Sequence, residues 1–377
     1  MNIGFDAKRF FLNRSGLGNY SRWLIHGLIN QYPQNSYHLY TPQVNKGDLA
    51  PDFTTSNSEV TIHLPSNLFK TFWRTKGIKK DLLKHSIEVF HGLSNEIPYG
   101  IEKTKIKSVV TIHDLIFKIH PEYYNPIDRS IYDTKFKSAC ERSNKIIAIS
   151  EHTRQLIIDH YGIPKENTEV IYMDSLPIFH ESADAKKLSE IKKKYSLNQP
   201  FFLNVGGGGG RKNQVRLCRA FAEIANKIDH NLLICGKKGR DFEEIEKVIK
   251  TYNLKNRIHW LENITDEDLF NIYHLSYATV FPSLYEGFGI PIVESYRCGK
   301  PVITSFGSSL EEVAGSSGLK CDPRDINDIA TQMLKLTVTE VYDTLVKNIP
   351  QELLRFESGD LLKKYYTVYE EICGLKI

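Results

Sequence analysis

Short apolar runs alternate along the chain with longer stretches in which apolar positions recur at helical spacing. In the first half, residues 109–112 and 145–149 are continuous runs of β-branched and other apolar residues. Four similar runs follow in the second half, at 201–205, 231–235, 278–281 and 301–304. Continuous apolar strands separated by amphipathic helices are typical of parallel sheets that are covered by helices on both faces. Each half is therefore predicted to be a doubly wound, Rossmann-like α/β domain.

A polar stretch marks the predicted domain boundary. Residues 181–187 are polar without strand character, and a charged helix predicted over 188–195 then leads to the strand at 201–205. We expect an N-terminal domain over 1–180 and a C-terminal domain over 181–357. The tail, 358–377, has apolar and aromatic positions at helical spacing and is expected to pack back onto the N-terminal domain. The two domains are expected to face a cleft between the carboxyl ends of their strands, where ligands bind in such sheets.

Composition and charge narrow the class of protein. The 377 residues are 41% hydrophobic and 25% charged, which is typical of a globular protein with a proper core. The 49 Lys and Arg against 45 Asp and Glu give a net charge of +4, too small an excess for a protein whose main partner is nucleic acid. The chain starts directly in a strand-like run and contains no apolar stretch approaching about 18 residues, so a cytoplasmic protein is expected. Six cysteines without a C-x-x-C pair predict buried thiols, not a zinc site or a disulfide framework.

A glycine-rich loop carries the first chemical signal. Five glycines at 206–210 follow the first strand of the second half and are followed at once by Arg211 and Lys212. Glycines let the backbone approach a ligand closely, a helix amino end favours an anion, and two adjacent cations add charge, a combination that suits a diphosphate. Arg211 stands where the G-x-G-x-x-G and P-loop patterns need glycine, so an ordinary NAD or ATP site is disfavoured. The alternative is a flexible loop with solvated basic residues.

Two carboxylates form the second signal. Glu286 lies in a glycine-containing loop after the strand at 278–281, and Glu294 follows eight residues later. Pro291 suits the first position of a helix, which places Glu294 about one turn into that helix. Two such carboxylates are expected to border one pocket, where they accept hydroxyl hydrogen bonds from a sugar or stabilise a developing cationic carbon. The alternative is a surface Glu beside a helix-start carboxylate that the helix dipole favours.

The order of these motifs resembles that of one enzyme family. The chain matches it at Arg211-Lys212-Asn213, at Glu286-x7-Glu294 and at six other segments, 16–20, 91–95, 111–115, 149–153, 298–303 and 308–313. With these motifs over essentially the whole chain, the sequence is similar to the retaining nucleotide-sugar glycosyltransferases of the family 4 type, or glycosyl transferases group 1, which have the two-domain GT-B architecture. The resemblance implies an acceptor-side N-terminal domain and a C-terminal domain that binds the nucleotide-sugar donor.

The resemblance also implies roles for individual residues. The catalytic residues that it implies are His113 at the anomeric centre, Lys212 on the diphosphate, and Glu286 on hydroxyls of the transferred sugar. The donor-binding residues that it implies are Arg211 and Lys212 on the diphosphate, Glu294 on the ribose, the backbone amides of Gly287, Phe288 and Gly289, and Gly16 and Gly18, which would let the first loop close over the phosphates. Because the basic pair neutralises the diphosphate, the resemblance implies no metal and no cofactor.

The implied activity is transfer of a hexosyl unit, with mannosyl and glucosyl as the first candidates, from a nucleoside-diphosphate sugar to a hydroxyl group. The acceptor would be a glycan or a lipid-linked molecule, the anomeric configuration would be retained, and the product would belong to a cell-surface polysaccharide. Two alternatives stay open. A GT-B-type sugar-nucleotide epimerase shares the architecture and the donor, and a non-catalytic protein would bind a nucleoside diphosphate without turnover.

Two further segments have competing interpretations. Asp266-Glu267-Asp268 has the D-x-D spacing of metal-dependent transferases, but Thr265 in front of it predicts a helix capping box instead. Residues 68–80 mix aromatic and basic side chains. They predict either a helix that buries its aromatic residues and leaves its lysines in solvent, or a peripheral contact with anionic lipid at the inner face of the membrane.

Overall fold

The computed structural model of the protein describes residues 1–13, 15–44, 59–66 and 70–375. The chain divides into two units, Met1–Asp174 with Glu357–Ile377, and Ser175–Phe356. Each unit is built on one parallel β-sheet, with seven strands in the first and six in the second among the described residues. The predicted fold class, two doubly wound α/β domains, is thereby confirmed.

The first unit has the strand order β3-β2-β1-β4-β5-β6-β7, which runs outward from β1 in both directions as in Rossmann-like sheets. Its strands are β1 (Asn2–Asp6), β2 (Ser36–Tyr40), β3 (Glu59–His63), β4 (Val89–Gly92), β5 (Lys107–Ile112), β6 (Lys145–Ala148) and β7 (Thr168–Val170). Its helices up to the end of β7 are α1 (Lys8–Leu12), α2 (Gly16–Gln31), α3 (Lys70–Phe72), α4 (Ile78–Lys84), α5 (Ile116–Ile119), α6 (Pro126–Arg142) and α7 (Glu151–Tyr161). A π-helical turn, Trp73–Gly77, joins α3 to α4.

The second unit has the strand order β10-β9-β8-β11-β12-β13. Its strands are β8 (Phe201–Val205), β9 (Asn231–Cys235), β10 (Ile258–Leu261), β11 (Ala278–Phe281), β12 (Val302–Ser305) and β13 (Gly318–Cys321). Its helices are α8 (Ala185–Lys194), α9 (Gln214–Ile224), α10 (Phe242–Thr251), α11 (Asp266–Leu275), α12 (Ile290–Arg297), α13 (Ser309–Ala314), α14 (Ile326–Leu336) and α15 (Thr339–Leu353).

The last helix, α16 (Ser358–Cys373), belongs to the first unit and packs against α2. Its tyrosines Tyr365 and Tyr369 are fully buried. The hydroxyl groups of Tyr365 and Tyr20 lie 3.0 Å apart, and the indole nitrogen of Trp23 donates to Oγ of Ser358 (2.9 Å). No helix in the described ranges is long and apolar enough to cross a membrane.

Parallel pairing brings certain loops together at the carboxyl edge of each sheet. In the second unit β8 pairs with β9 on one side and with β11 on the other, so the loops that follow these three strands are neighbours. In the first unit β4 pairs with β5, which makes the segment after Gly92 a neighbour of His113. His91 and Gly92 of the matching segment 91–95 lie within β4, and the other three residues follow the strand. The predicted glycine loop, Glu286 and His113 all lie at such edges.

Candidate functional site

The glycine loop that follows β8 is held against the loop that follows β9. The amide of Gly206 donates to the carbonyl of Cys235 (2.9 Å), and the amide of Gly208 donates to the carbonyl of Lys237 (2.7 Å). A Cβ atom on Gly208 would lie 2.4 Å from the backbone nitrogen of Gly239, so the packing of the two backbones requires glycine there. A merely flexible loop would have no such requirement.

A 3₁₀ turn, Gly210–Lys212, carries the two predicted cations. It ends at Asn213, whose backbone is left-handed (φ 60°), and α9 begins at the next residue. The buried side-chain amide of Asn213 donates to the carbonyl oxygens of Pro282 (2.9 Å) and Pro323 (2.6 Å). Asn213 thereby ties the basic turn to the loop after β11. No role is predicted for Asn213 from the sequence, although an Asn directly before a helix is a residue that tolerates the left-handed region.

Lys212 and Arg211 both pair with Glu286. The ammonium nitrogen of Lys212 lies 2.7 Å from Oε1 of Glu286, and the guanidinium of Arg211 contacts Oε2. Burial alone raises the pKa of this carboxyl group, but the charges of Lys212 and Arg211 overcome that effect and lower the pKa to about 2. The ammonium also lies over the ring of Phe281, 4.7 Å from its centroid. Two cations against one carboxylate leave a net positive charge near the amino end of α9, which favours an anion.

The loop that carries Glu286 is held by its main chain. The hydroxyl of Ser309 donates to the carbonyl oxygen of Glu286 (2.7 Å) and lies 3.2 Å from that of Phe288. The ring of Phe288 is buried edge-on against Phe356, with centroids 6.0 Å apart, so any contact of Phe288 with a ligand falls to its backbone. Gly289 has a φ of 113°, which L-residues rarely adopt, and it immediately precedes α12. No role is predicted for Ser309 from the sequence, because its contact depends on how helix α13 packs beside this loop.

Glu294 differs from Glu286 in its surroundings. Pro291 takes the second position of α12, one residue later than predicted, and Glu294 lies one turn into the helix as expected. Its Oε2 accepts a 2.7 Å hydrogen bond from the hydroxyl of Tyr273 on α11. Burial raises the pKa of the Glu294 carboxyl to about 7, against the opposing effect of the Tyr273 hydrogen bond. The two carboxyl groups therefore differ in protonation near neutral pH, and Tyr273 is a partner that the sequence analysis misses.

In the first unit, His113 directly follows β5. Its Nε2 donates to the carbonyl of Leu93 (2.8 Å), and its backbone amide donates to Oδ1 of Asn95 (2.8 Å). Burial lowers the pKa of the imidazole to about 4, so the ring is neutral at pH 7. With the proton on Nε2, Nδ1 carries the lone pair and acts as a hydrogen-bond acceptor. The ring of Tyr20 packs edge-on against the imidazole, with centroids 4.7 Å apart.

The tyrosine that packs against His113, Tyr20, belongs to a buried hydrogen-bond network. The hydroxyl of Tyr20 lies 2.8 Å from Oγ1 of Thr111, which lies 2.8 Å from Nε2 of His91. Nδ1 of His91 is in turn 2.6 Å from the hydroxyl of Tyr369 on α16. Such a network orders the side chains that surround the ring, and His91 is a part of it rather than a separate functional residue.

Gly16 and Gly18 are predicted to lie in a loop, and that prediction is wrong. Both belong to the first turn of α2, for which Ser15 is the N-cap residue. A Cβ atom on Gly18 would lie 1.8 Å from the carbonyl oxygen of Asn13, so close packing of the preceding backbone explains this glycine. The amide of Gly18 donates to the carbonyl of Ser15 (2.8 Å). Because both glycines are helical, no flexible loop exists at these two positions to close over phosphates.

The acidic segment at the start of α11 is a helix cap, as predicted. The amide of Asp268 donates to Oγ1 of Thr265 (3.1 Å). The carboxylate of Asp268 accepts hydrogen bonds from the ammonium of Lys194 (2.6 Å) and the hydroxyl of Tyr195 (2.6 Å). These contacts explain the segment without a metal ion.

Positions 68 and 69 of the segment 68–80 lie outside the described residues. In the remainder, Trp73 is buried and its indole nitrogen donates to Asp81 (2.6 Å), while the guanidinium of Arg74 lies 2.7 Å from a carboxylate oxygen of Asp6. These contacts fit a helix that buries aromatic residues in the core. Phe72, by contrast, is 58% exposed, so one aromatic residue of the segment faces solvent.

Known protein families and relatives match most of the chain. The profile of the family described as Glycosyltransferase Family 4 matches residues 15–173, and that of Glycosyl transferases group 1 matches residues 186–349. The chain is 28% identical to O-antigen chain mannosyltransferase B of Escherichia coli over 250 residues, which are 66% of this chain and 64% of that protein. It is 30% identical to the serotype-specific mannosyltransferase WbdA of Escherichia coli over 267 residues, which are 68% of this chain and 32% of that protein. The matches thus span less than two thirds of the length of these relatives.

A solved structure shares the fold. The crystal structure of Anabaena Alr3699/HepE in complex with UDP and glucose has a TM-score of 0.77 to this chain at 16% identity. The similarity covers 98% of this chain and 100% of the Anabaena chain.

Proposed function

Since the chain belongs to the GT-B glycosyltransferase family, we propose that it transfers a hexosyl unit from a nucleoside-diphosphate sugar to a hydroxyl group of a glycan or lipid-linked acceptor. The mannosyltransferases among its relatives support mannose as the sugar to test first, before glucose, and a cell-surface polysaccharide as the product. The observation that carries the proposal is the pairing of Arg211 and Lys212 with the buried carboxylate of Glu286 beside the amino end of α9.

Donor binding changes the ion pairs that Lys212 and Arg211 form with Glu286. The diphosphate of a nucleotide sugar is a stronger anion than one carboxylate, so it competes with Glu286 for Lys212 and Arg211. A carboxylate that loses part of this pairing gains the capacity to accept hydrogen bonds from sugar hydroxyls. Glu286 thus serves first as the partner of the cations and then as a ligand of the sugar. Glu294, which the hydroxyl of Tyr273 orients, is assigned to the ribose.

The transfer step breaks the bond between C1 and the phosphate oxygen and forms a bond between C1 and the acceptor oxygen. In a single-step transfer with retention, the acceptor approaches on the face from which the diphosphate departs, so the departing phosphate oxygen is the base nearest to the acceptor proton and takes that proton. Lys212, Arg211 and the helix amino end stabilise the negative charge that develops on the leaving group. His113, neutral and with Nδ1 as an acceptor, is assigned to a hydroxyl of the transferred sugar.

The same residues account for a transfer step without a metal ion. In metal-dependent transferases a divalent cation neutralises the diphosphate, and here two fixed cations are available for that purpose. We therefore expect donor binding and transfer to proceed in the presence of EDTA.

A nucleotide-binding experiment tests this proposal. Thermal shifts with UDP, GDP and ADP, each with EDTA, should show a rise of several degrees for one nucleoside diphosphate at about 100 times its Kd. Lys212→Ala should abolish that rise, whereas Lys227→Ala, at an exposed lysine of the same unit, should preserve it. A rise that needs a divalent metal, or one that survives Lys212→Ala, contradicts the proposed site.

We further propose a peripheral membrane contact for the exposed part of the segment 68–80, which suits a lipid-linked acceptor. Phe72, Lys76 and Lys80 are all exposed within the helical segment that starts at Lys70, so apolar and basic side chains are both available to a lipid surface. Sedimentation with vesicles should show binding to anionic lipid that exceeds binding to phosphatidylcholine. The variant Phe72→Ser with Lys76→Gln should lose it, and equal binding by wild type and variant would contradict the contact.

A further inference from the structure

Three histidine rings meet at the outer edge of the first sheet, far apart in sequence and outside the residues assigned to transfer. His38 lies in β2, His63 is the last residue of β3, and His85 is the C-cap residue of α4. Each offers one ring nitrogen, and these three nitrogen atoms lie within 4.8 Å of one another. We propose that His38, His63 and His85 form a binding site for a divalent transition-metal ion of the zinc type.

The fold explains why the three rings converge. In the parallel pairing of β2 with β3, His38 lies opposite Thr61 and Tyr40 lies opposite His63. Side chains two residues apart on a strand, and those of register partners, point to the same face of a sheet. His38, Tyr40 and His63 therefore share one face, and the end of α4 brings His85 onto it, with its ring stacked on that of His63 at a centroid distance of 4.0 Å.

The distance between the facing nitrogen atoms of His38 and His63 is close to that between two ligands of one metal ion. Nδ1 of His38 and Nε2 of His63 are 2.9 Å apart. Two nitrogen ligands of a tetrahedral zinc ion, each about 2.0–2.1 Å from the metal, are separated by about 3.3 Å. An ion would open the His38–His63 contact by a few tenths of an ångström and would require the His85 ring, which is stacked on that of His63, to turn its nitrogen toward the ion. All three histidines are half-buried, so an ion has access from solvent.

The surroundings of the rings also favour a cation. Nδ1 of His85 lies 2.9 Å from the hydroxyl of Tyr40, and a hydrogen bond at the second ring nitrogen is how ligating histidines are commonly oriented. The carboxylate of Asp81 precedes His85 by one turn of α4 and adds negative charge near His63.

Three imidazole ligands select the kind of metal. Neutral nitrogen ligands suit Zn²⁺, Co²⁺, Ni²⁺ and Cu²⁺, whereas Mg²⁺ and Ca²⁺ prefer oxygen. A fourth position remains for water or an added ligand. Since β3 is the edge strand of the sheet, an ion on these rings would clamp that edge to α4. The site is part of the first unit, whereas the residues assigned to the diphosphate belong to the second, so we expect a stabilising and not a chemical role.

Equilibrium dialysis of the untagged full chain against Zn²⁺ tests the site. Wild type should bind one equivalent, and His63→Asn and His85→Gln should each lose it. His160→Gln, at an exposed histidine in the last turn of α7, should bind as wild type does. Zn²⁺ should also raise the Tm of wild type by a few degrees and leave that of the His63→Asn variant unchanged. Binding that survives both ligand variants, or no binding by wild type, overturns the proposal.

A measurement on the unaltered chain tests the site without depending on whether the variants fold. Co²⁺ bound by three imidazoles and one further ligand in tetrahedral geometry gives intense visible absorption, whereas octahedral Co²⁺ absorbs weakly. The proposal predicts the intense spectrum at one equivalent and its loss on addition of Zn²⁺. A weak spectrum throughout contradicts it. Nucleotide binding by the second unit has a separate readout, so failure of the metal site leaves the proposed transferase function untouched, and the reverse also holds.

Discussion

The ammonium group of Lys212 lies 2.7 Å from Oε1 of Glu286, and this contact joins two loops that follow paired parallel strands. Asn213, next to Lys212, holds the same two loops together through its bond to the carbonyl of Pro282. The basic turn therefore has an anionic partner in the neighbouring loop after β11. Any anionic ligand of Lys212 and Arg211 therefore has to compete with the carboxylate of Glu286.

Glu286→Gln should separate nucleotide binding from transfer. The substitution keeps the size of the side chain but removes the charge that competes for Lys212 and Arg211. We expect the Kd of the nucleoside diphosphate to fall by about tenfold, equivalent to about 1.4 kcal/mol, while kcat falls by about 10²-fold because the sugar loses its carboxylate partner. Calorimetric titration and a transfer assay measure the two effects, with the exposed Glu190→Gln as control. Weaker nucleotide binding in Glu286→Gln would show that the carboxylate does not compete.

Glu294→Gln should change how stability depends on pH. The pKa of this carboxyl is raised from its ordinary value of 4.5 to about 7, so the folded state favours the protonated form. The contribution of this carboxyl to the free energy of unfolding of wild type is therefore complete below about pH 4.5. It is lost as the pH rises through 7, by at most about 1.4 kcal/mol per pH unit. Glu294→Gln, which stays neutral, should be more stable than wild type at pH 8 and no more stable at pH 4. Urea unfolding at both pH values measures the difference, and an equal difference at both would contradict the raised pKa.

Tyr273→Phe offers a companion test of the same carboxyl group. The hydroxyl of Tyr273 donates to Glu294 and so lowers the pKa that burial raises. Without that hydroxyl the pKa of Glu294 should rise further, and the pH at which stability is lost should move upward by up to about one unit. Unfolding free energies measured from pH 5 to pH 9 report this shift. A downward shift would mean that the hydrogen bond does not favour the ionised form.

His113→Ala should reduce transfer and leave nucleotide binding intact. His113 belongs to the first unit, whereas Lys212, Arg211 and Glu286 belong to the second. We expect kcat to fall by about 10²-fold with an unchanged Kd for the nucleoside diphosphate. Because the pKa of His113 is about 4, the rate of the wild-type enzyme should show no ionisation of this residue above pH 5. Activity of His113→Ala equal to that of the control His160→Ala would show that His113 takes no part in transfer.

Substitutions at Asn213 should separate backbone conformation from hydrogen bonding. Asn213→Ala loses both bonds to the proline carbonyls and places alanine at a φ of 60°, whereas Asn213→Gly loses the bonds alone. We expect losses in unfolding free energy of about 1–3 kcal/mol for the bonds, with about 1 kcal/mol more for alanine. Chemical denaturation measures both variants. If Asn213→Gly matches wild type, the bonds do not stabilise the turn.

Six strands were predictable, β5, β6, β8, β9, β11 and β12, because they are almost wholly buried on both faces, whereas the partly exposed β3 gives no such apolar run. The runs at 201–205, 231–235 and 278–281 coincide with β8, β9 and β11, since a continuous apolar run has no other place in a doubly wound sheet. The start of α2 was not predictable from its glycines. Gly18 looks like a loop residue in sequence, but it is required by the backbone of Asn13, and such a close approach appears only in three dimensions.

The candidate site was predictable as a set of residues and not as a set of contacts. Arg211, Lys212 and Glu286 stand out because charged residues flank glycines at strand ends. Their mutual pairing depends on which strands are neighbours, as does the bond from Tyr273 to Glu294. The histidines of the proposed metal site are separated by 25 and 22 residues in sequence and form no motif. The register of β2 with β3 brings His38 and His63 together, and the end of α4 adds His85.

Proton NMR of the reaction distinguishes acceptor-dependent sugar transfer with retention from inversion and from epimerisation. Donor, acceptor glycan and enzyme are mixed in the presence of EDTA, and the anomeric signals of donor and product are followed with time. We expect a nucleoside diphosphate and a new glycoside with the anomeric configuration of the donor to appear together, and only when the acceptor is present. An inverted product, or conversion of the nucleotide sugar without acceptor as an epimerase would catalyse, would contradict the proposed transfer with retention.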